Sequence, residues 1–204
     1  MCHELLTDAR LYELLLRFDE ALAKQAQAQG CDCGGRLHCA NFPRKPRGGP
    51  DNLEGYDKRF SFCCDQDGCR CRTTPPSLRF LGRRIYLGAV VVLVSAMREG
   101  VTPQRAAKLQ KLVGVDRRTL GRWRSWWREV FPSTALWRDK RAWFMPPVAE
   151  DGLPASLLES FKGKLRKQLL RVLEFLLPLT TCSCLARVTI SPQSMLADGG
   201  NRTV

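Results

Sequence analysis

The sequence has only two histidines, and its ten cysteines include no Cys-x-x-Cys pair. A thioredoxin-like site is therefore not outlined. No catalytic histidine or βαβ pattern accompanies Cys31-Asp-Cys33 or Cys182-Ser-Cys184, which leaves a thiol redox protein as the remote reading. No apolar run approaches the roughly 20 residues that cross a bilayer. The longest, Leu87 to Ala96, already contains Gly88 and Ser95. No repeat or heptad period runs through the chain, which excludes collagen-like and coiled-coil architectures. Residues 1–29 lack a secretory pattern, because Glu4, Asp8, Glu13, Asp19 and Glu20 sit among the leucines. The expectation is a reducing cytoplasm, where clustered cysteines are more often metal ligands than disulfides.

Acidic side chains are scarce too, with 20 Asp+Glu against 33 Lys+Arg and a net charge of +13. The surplus is focused. Residues 78–143 hold 15 basic and 4 acidic groups, net +11. Residues 1–30 are net −2 (3 against 5), and 31–77 (8 against 6) and 144–204 (7 against 5) are each net +2. A polyanion partner explains such focusing, and nucleic acid is the commonest one. Arg outnumbers Lys by 24 to 9, which suits phosphate and guanine edges. An apolar content of 44% is enough for a core.

The pattern divides the chain into six parts. Residues 1–30 carry an amphipathic helix over 4–28, with Leu11, Leu14, Leu15, Phe18, Ala21 and Leu22 at helical spacing and Gly30 at its end. Residues 31–77 are rich in Cys, Gly and Pro. Residues 78–131 read as basic helices. Residues 132–155, with Pro132, Pro146, Pro147 and Pro154, read as a linker. Residues 156–177 read as one helix, opened by a Ser156/Glu159 capping box and stopped by Pro178. Its adjacent apolar pairs predict packing on the chain or on a second copy, a homodimer contact. Residues 178–204 read as a loose tail.

Seven cysteines lie in 31–77: Cys31, Cys33, Cys39, Cys63, Cys64, Cys69 and Cys71. Two knuckles stand out, Cys31-Asp-Cys33-Gly-Gly and Cys64-Asp-Gln-Asp-Gly-Cys69. Glycines there tolerate the sharp turns that wrap a metal. Four thiolates form a closed tetrahedral Zn²⁺ site, which is structural, and such a site folds a segment too poor in apolar residues to fold alone. The expected ligands are Cys31, Cys33, Cys64 and Cys69, with Cys63, Cys71, His38 and Cys39 as possible substitutes. Cys63 and Cys64 are neighbours on a predicted strand from Arg59 to Cys64 and face opposite ways, so only one reaches the metal; Cys64 leaves the tighter knuckle. Between the knuckles, Arg44, Lys45 and Arg47 make a basic loop tip beside Phe42, suited to backbone phosphates.

The basic block reads as a helix-turn-helix. Leu81 to Met97 is its first helix. The Val90-Val-Val-Leu-Val94 run could form a buried strand instead, but the stretch of about 17 residues is longer than a usual strand and favours helix. Thr102-Pro103 opens a second, with Ala106, Leu109, Leu112 and Val113 as its buried stripe. Gly114 breaks it, and Asp116 caps a third helix from Arg117 to Phe131. There Leu120, Trp123, Trp127 and Val130 form the apolar face. Arg117, Arg118, Gly121, Arg122 and Ser125 lie opposite, as a major-groove reader requires, with Arg124 and Arg128 flanking toward phosphates. The fold class is thus mainly α, with a small zinc-ribbon-like β/loop module and a three-helix helix-turn-helix domain between N- and C-terminal helices.

The order of these parts resembles the N-terminal DNA-binding region of insertion-sequence transposases. Cysteine knuckles, Arg72-Thr-Thr-Pro-Pro-Ser77, Leu81 to Met97 and Thr102 to Trp127 carry the likeness, over roughly residues 31–131. It implies duplex DNA at the ends of a mobile element as partner, Zn²⁺ as cofactor, and the same four cysteines as ligands. Transposase chemistry needs three convergent carboxylates on a nuclease-like domain. Beyond Phe131 only Asp139, Glu150, Asp151, Glu159, Glu174 and Asp198 appear, in a linker, a helix and a tail. The reading is an accessory or shortened transposase with no enzymatic activity of its own, acting beside a separately encoded transposase or recombinase. A helix-turn-helix transcriptional regulator is the alternative.

Overall fold

A computed structural model describes residues 2–44, 48, 54–81, 87–97 and 103–180. The described chain is mainly helical, with two small sheets.

A short α1 (Cys2–Leu6) leads into α2 (Ala9–Gln29). The single helix expected over 4–28 is divided here because Asp8 leaves the helical backbone and caps α2, its Oδ1 accepting from the Arg10 and Leu11 N–H groups. Gly30, at φ 74°, ends the helix. At 21 residues α2 is about 31 Å long, enough to serve two cores. Its first half sends Leu11, Tyr12, Leu15 and Phe18 into the main core. Its second half sends Ala23 and Ala26 onto Leu37, Phe62 and Cys64 of the cysteine module.

That module contains β1 (Leu37–Cys39), β2 (Phe42–Pro43), β3 (Lys58–Arg59), β4 (Phe62–Cys64) and β5 (Arg72–Thr73). Strands β1, β4 and β5 form an antiparallel sheet in the order β1-β4-β5, and β2 pairs β3. The strand expected from Arg59 to Cys64 is therefore two strands in different sheets, separated at Phe60-Ser61.

The main core is built around α3 (Gly88–Ser95), whose eight residues are all buried. A helix apolar on every side must be enclosed, and here enclosure overrides the strand preference of four valines. It is shorter than the helix expected from Leu81; residues 82–86 lie outside the described set, and Phe80 bridges Leu87 as an antiparallel pair. Helices α4 (Pro103–Val113) and α5 (Arg117–Ser125) follow, with Gly114 at φ 64° between them. Leu109 and Val113 of α4 are buried as expected, Ala106 is half-buried, and Leu112 is exposed. The Thr102 cap lies outside the described residues.

Beyond α5 the chain continues as a π-helical turn, Trp126–Val130. This turn corrects one expectation. A π turn spends an extra residue per revolution, so Val130 rotates out to 48% exposure while Phe131 takes the buried position.

Residues 132–155 do not behave as a linker. They include α6 (Ala135–Lys140), capped by Thr134, and Trp137 is buried against Phe131 and stacked near Phe144. The aromatic content outweighs the proline signal. The helix expected over 156–177 is also two: α7 (Ala155–Glu159) and α8 (Leu165–Phe175), broken around Gly163 at φ 115°. Ser156 is not the cap; its hydroxyl donates to the Ala149 carbonyl. Leu157, Leu158, Leu169, Val172, Leu173 and Leu176 are buried in the main core, so covering them requires no second copy.

One polar knot joins the two cores. Asp19 and Arg79 are fully buried and ion-paired, Nε to Oδ2 at 2.8 Å. Asp19 also accepts from the Ser77 hydroxyl and from the Leu78 N–H at 2.7 Å. Arg79 donates onward to the Tyr56 carbonyl at 2.8 Å and the Lys58 carbonyl at 2.9 Å. Its guanidinium lies about 5 Å from the centres of the Tyr56, Phe60 and Phe80 rings. Sequence reading missed this knot, although a carboxylate beside Phe18 on the apolar stripe of α2 was a signal for it.

Candidate metal centre

Gly30 stops α2 and delivers Cys31 into a tight turn. Gly34 donates to the Cys31 carbonyl at 2.8 Å, and the Cys31 N–H to the Gly35 carbonyl at 3.0 Å. Gly34 adopts φ 84°, which favours glycine. Gly35 is required for a different reason: a Cβ there would sit 2.5 Å from the Cys64 sulfur. The second turn leaves β4 at Cys64 and returns at Cys69, whose N–H reaches the Gln66 carbonyl at 3.1 Å. Gly68 at φ 87° makes that reversal.

These two turns bring Cys31, Cys33, Cys64 and Cys69 together, with all four sulfurs within 4.8 Å of one another. Cys31 and Cys69 sulfurs are 3.7 Å apart, and Cys33 and Cys64 sulfurs 3.4 Å. Sulfur bonds of about 2.3 Å in a tetrahedron place sulfurs about 3.8 Å apart, close to both values. The four cysteines are those expected from the knuckle spacing. Strand alternation also decides between neighbours as expected: Phe62 and Cys64 face the small core, and Cys63 does not. Cys39, Cys63, Cys71 and His38 stay outside the cluster. Instead, His38 lies 3.4 Å from the Asp65 carboxylate.

Backbone donors surround the cluster. Gln66 N–H reaches the Cys64 sulfur at 3.4 Å, and Gly35 and Cys71 N–H groups address Cys33 and Cys69. Such donors favour thiolate over thiol. The Gly35 N–H and the three neighbouring thiols bring Cys33 down to about 7. At Cys64 the Gln66 N–H pulls downward, but desolvation and sharing with Cys33, Cys31 and Cys69 outweigh it and push the thiol up to about 12. Cys69 is raised as well, because proton sharing with Cys33 and Cys31 and desolvation outweigh the Cys71 N–H. Four close sulfurs cannot all ionise alone. A divalent cation reverses that balance, holding all four as thiolates.

Asp65 ties the turns together. Its Oδ1 accepts from the Arg36 N–H at 2.8 Å, and its own N–H donates to the Arg36 carbonyl at 3.0 Å. Desolvation opposes its charge, yet the Arg36 N–H and His38 prevail and hold the carboxyl below its ordinary range. Spacing arguments overlooked this residue because its role lies in the contact between turns.

The expected DNA-contacting residues divide. On α5, Leu120, Trp123 and, just past it, Trp127 are buried, while Arg117, Arg118, Gly121, Arg122, Ser125 and Arg128 are exposed. Asp116 caps the helix, its Oδ1 accepting from the Thr119 N–H at 2.6 Å, and that bond holds its carboxyl below the ordinary range. Arg122 donates to the Thr119 hydroxyl at 2.9 Å. Arg124 departs from expectation: it is half-buried and donates to the Met97 carbonyl at 3.1 Å. Arg44 departs too, lying half-buried over the Phe80 ring at 5.8 Å. Its expected partners in the loop tip, Lys45 and Arg47, lie outside the described residues, as do Cys182 and Cys184.

Among the described residues, no helix is long and apolar enough to cross a membrane. No family model, curated protein or solved structure matches the chain.

Proposed function

We propose that this chain is a duplex-DNA-binding protein whose cysteine module folds around one structural zinc ion. The ion's holders are Cys31, Cys33, Cys64 and Cys69. Four protein thiolates close a tetrahedral site, so the metal supplies folding energy and leaves no open position for substrate. The reader is α5 with its preceding turn. The observation that carries this reading is the division of α5 into a buried Leu120/Trp123 face and an exposed Arg117/Arg118/Arg122 face that starts at a capped N-terminus.

A helix-turn-helix reader docks its second helix in the major groove with the residues of its N-terminal part toward base edges. Arg reads guanine bidentately and neutralises phosphate. Gly121 among those arginines carries no side chain to hold the helix off the groove floor. Arg128 lies further along and suits backbone phosphate. Arg124, committed to Met97, instead ties the reader to the end of the core helix. On the likeness to insertion-sequence transposases, the biological site is the end of a mobile element and the partner a separately encoded transposase or recombinase. A transcriptional regulator would use the same two modules at an operator.

The test is selection of preferred sites from random duplexes with zinc-loaded protein, followed by anisotropy titrations. Arg118→Ala and Arg122→Ala should each cost about 1–3 kcal/mol on the preferred site and relax specificity at single positions. Uniform loss on every sequence would remove α5 as the reader. Preference for element ends over promoter-proximal sites separates the mobile-element reading from the regulator.

A further inference from the structure

The segment after α6 leaves two large apolar side chains in solvent. Trp143 is 73% exposed and Met145 86%, while Phe144 between them is turned inward. The cause is local: Phe144 has extended backbone, φ −90° and ψ 122°, so its neighbours point the opposite way. Phe144 is held edge-on by Phe161 at 5.8 Å and Phe175 at 5.6 Å. A cleft of about 530 Å³ opens between these rings and the outward Trp143 and Met145. The other tryptophans are spent on packing: Trp123, Trp127 and Trp137 are buried, and Trp126 is half-buried.

Burying a tryptophan is among the largest apolar gains a chain has, so an outward one beside an aromatic cleft marks a contact surface. The charge around it selects the partner. Arg138 and Lys140 flank Asp139 just before the shelf. Arg141 is ion-paired with Glu150 at 3.4 Å, and in the cleft wall Arg171 is paired with Glu174 at 3.0 Å, so Arg138 and Lys140 carry the positive charge offered at the shelf. The Lys140 ammonium lies 3.4 Å from the Trp143 ring centre, pinning one face of the indole and leaving the other outward. A pinned indole with cations alongside suits a flat group attached to a phosphate. In a duplex the base faces are stacked on each other, whereas an unpaired base has one to offer.

We propose that the Trp143–Met145 shelf stacks an unpaired base of a single-stranded nucleic acid, with Arg138 and Lys140 drawing in the adjoining phosphates. This goes beyond the duplex reading and uses different residues, so either can fail alone. A binder with both surfaces would hold duplex through α5 and a neighbouring single strand through the shelf.

The experiment uses full-length, zinc-loaded protein and three probes: a 12-nucleotide oligothymidylate, a 12-base-pair duplex, and inorganic polyphosphate. The oligothymidylate should quench the solvent-exposed tryptophan emission, and polyphosphate should bind without quenching it. Trp143→Ala should abolish the quenching and weaken oligothymidylate binding at least about fivefold, with duplex affinity and melting temperature unchanged. Trp143→Phe, which keeps a ring, should recover part of the affinity. Equal oligothymidylate affinity in Trp143→Ala, or equal quenching by polyphosphate, overturns the proposal. So does shielding of Trp143 from acrylamide that grows with protein concentration and no nucleic acid, which would assign the shelf to a second copy. Loss of duplex binding in Arg118→Ala alone leaves the shelf untouched.

Discussion

Replacing Asp19 by alanine should be among the most damaging single changes available outside the cysteines. The substitution removes one charge of a fully buried ion pair and leaves three donors without an acceptor: the Ser77 hydroxyl, the Leu78 N–H and the Arg79 Nε. Breaking one partner of a buried pair costs about 3–5 kcal/mol, because the surviving charge stays desolvated and uncompensated. Native stability is only about 5–15 kcal/mol, so the loss consumes a large share. For a chain of this size each kcal/mol moves the melting temperature about 2–4 °C, which gives a drop of about 6–20 °C. Calorimetry in buffered zinc measures it. The decisive arm is the cycle with Arg79→Met, which removes the stranded charge and keeps an apolar stem near Tyr56, Phe60 and Phe80. The double variant should be more stable than the sum of the single losses by at least about 1 kcal/mol. Additive losses, or an Asp19→Ala protein that melts within 2 °C (about 1 kcal/mol) of the parent, would refute the reasoning.

Other outcomes follow from the same structure. Metal analysis should find about one zinc per chain, retained in Cys63→Ser and lost in Cys64→Ser, since only the Cys64 sulfur lies in the cluster; a Cys63→Ser protein that loses metal would reverse that assignment. Gly35→Ala should lower zinc affinity in a chelator competition, because its methyl would meet the Cys64 sulfur and Gln66 at 2.5–2.6 Å; unchanged affinity would mean the turn relaxes freely. The lowered carboxyl of Asp116 makes the α5 cap sensitive to acid. Its contribution is complete above the ordinary Asp value near 3.9 and is lost as pH falls through the lower folded value. In Asp116→Asn, acid melts should show a smaller loss of stability below pH 4, and an identical acid limb in both proteins would count against the cap.

Local patterns carried the candidate centre and several helices. Glycine-marked knuckles, strand alternation at Cys63-Cys64 and the cap at Asp116 each depend on residues within a few positions of one another, and the backbone geometry that turns such spacings into facing directions is fixed by covalent structure. The same logic places Arg117, Arg118 and Arg122 opposite Leu120 and Trp123. It reaches no further than the period holds: one π turn was enough to exchange Val130 for Phe131 in the core.

Only the tertiary structure decided the rest. The proline-rich stretch 132–155 read as a linker until Trp137 met Phe131, Phe144 and Phe175. The valine run of α3 reads as a helix from the length of its stretch, but its burial on every side came only from the packing. Asp19 and Arg79 stand 60 residues apart; the place of Asp19 on the apolar stripe of α2 signals its burial, but its partner is set by the packing alone. Arg124 read as a phosphate contact and instead bonds a carbonyl 27 residues away. Sequence periodicity records which way a side chain points along its own helix or strand. Which distant group it meets depends on how those elements pack, and burial then sets whether a charge is a surface contact or part of the core.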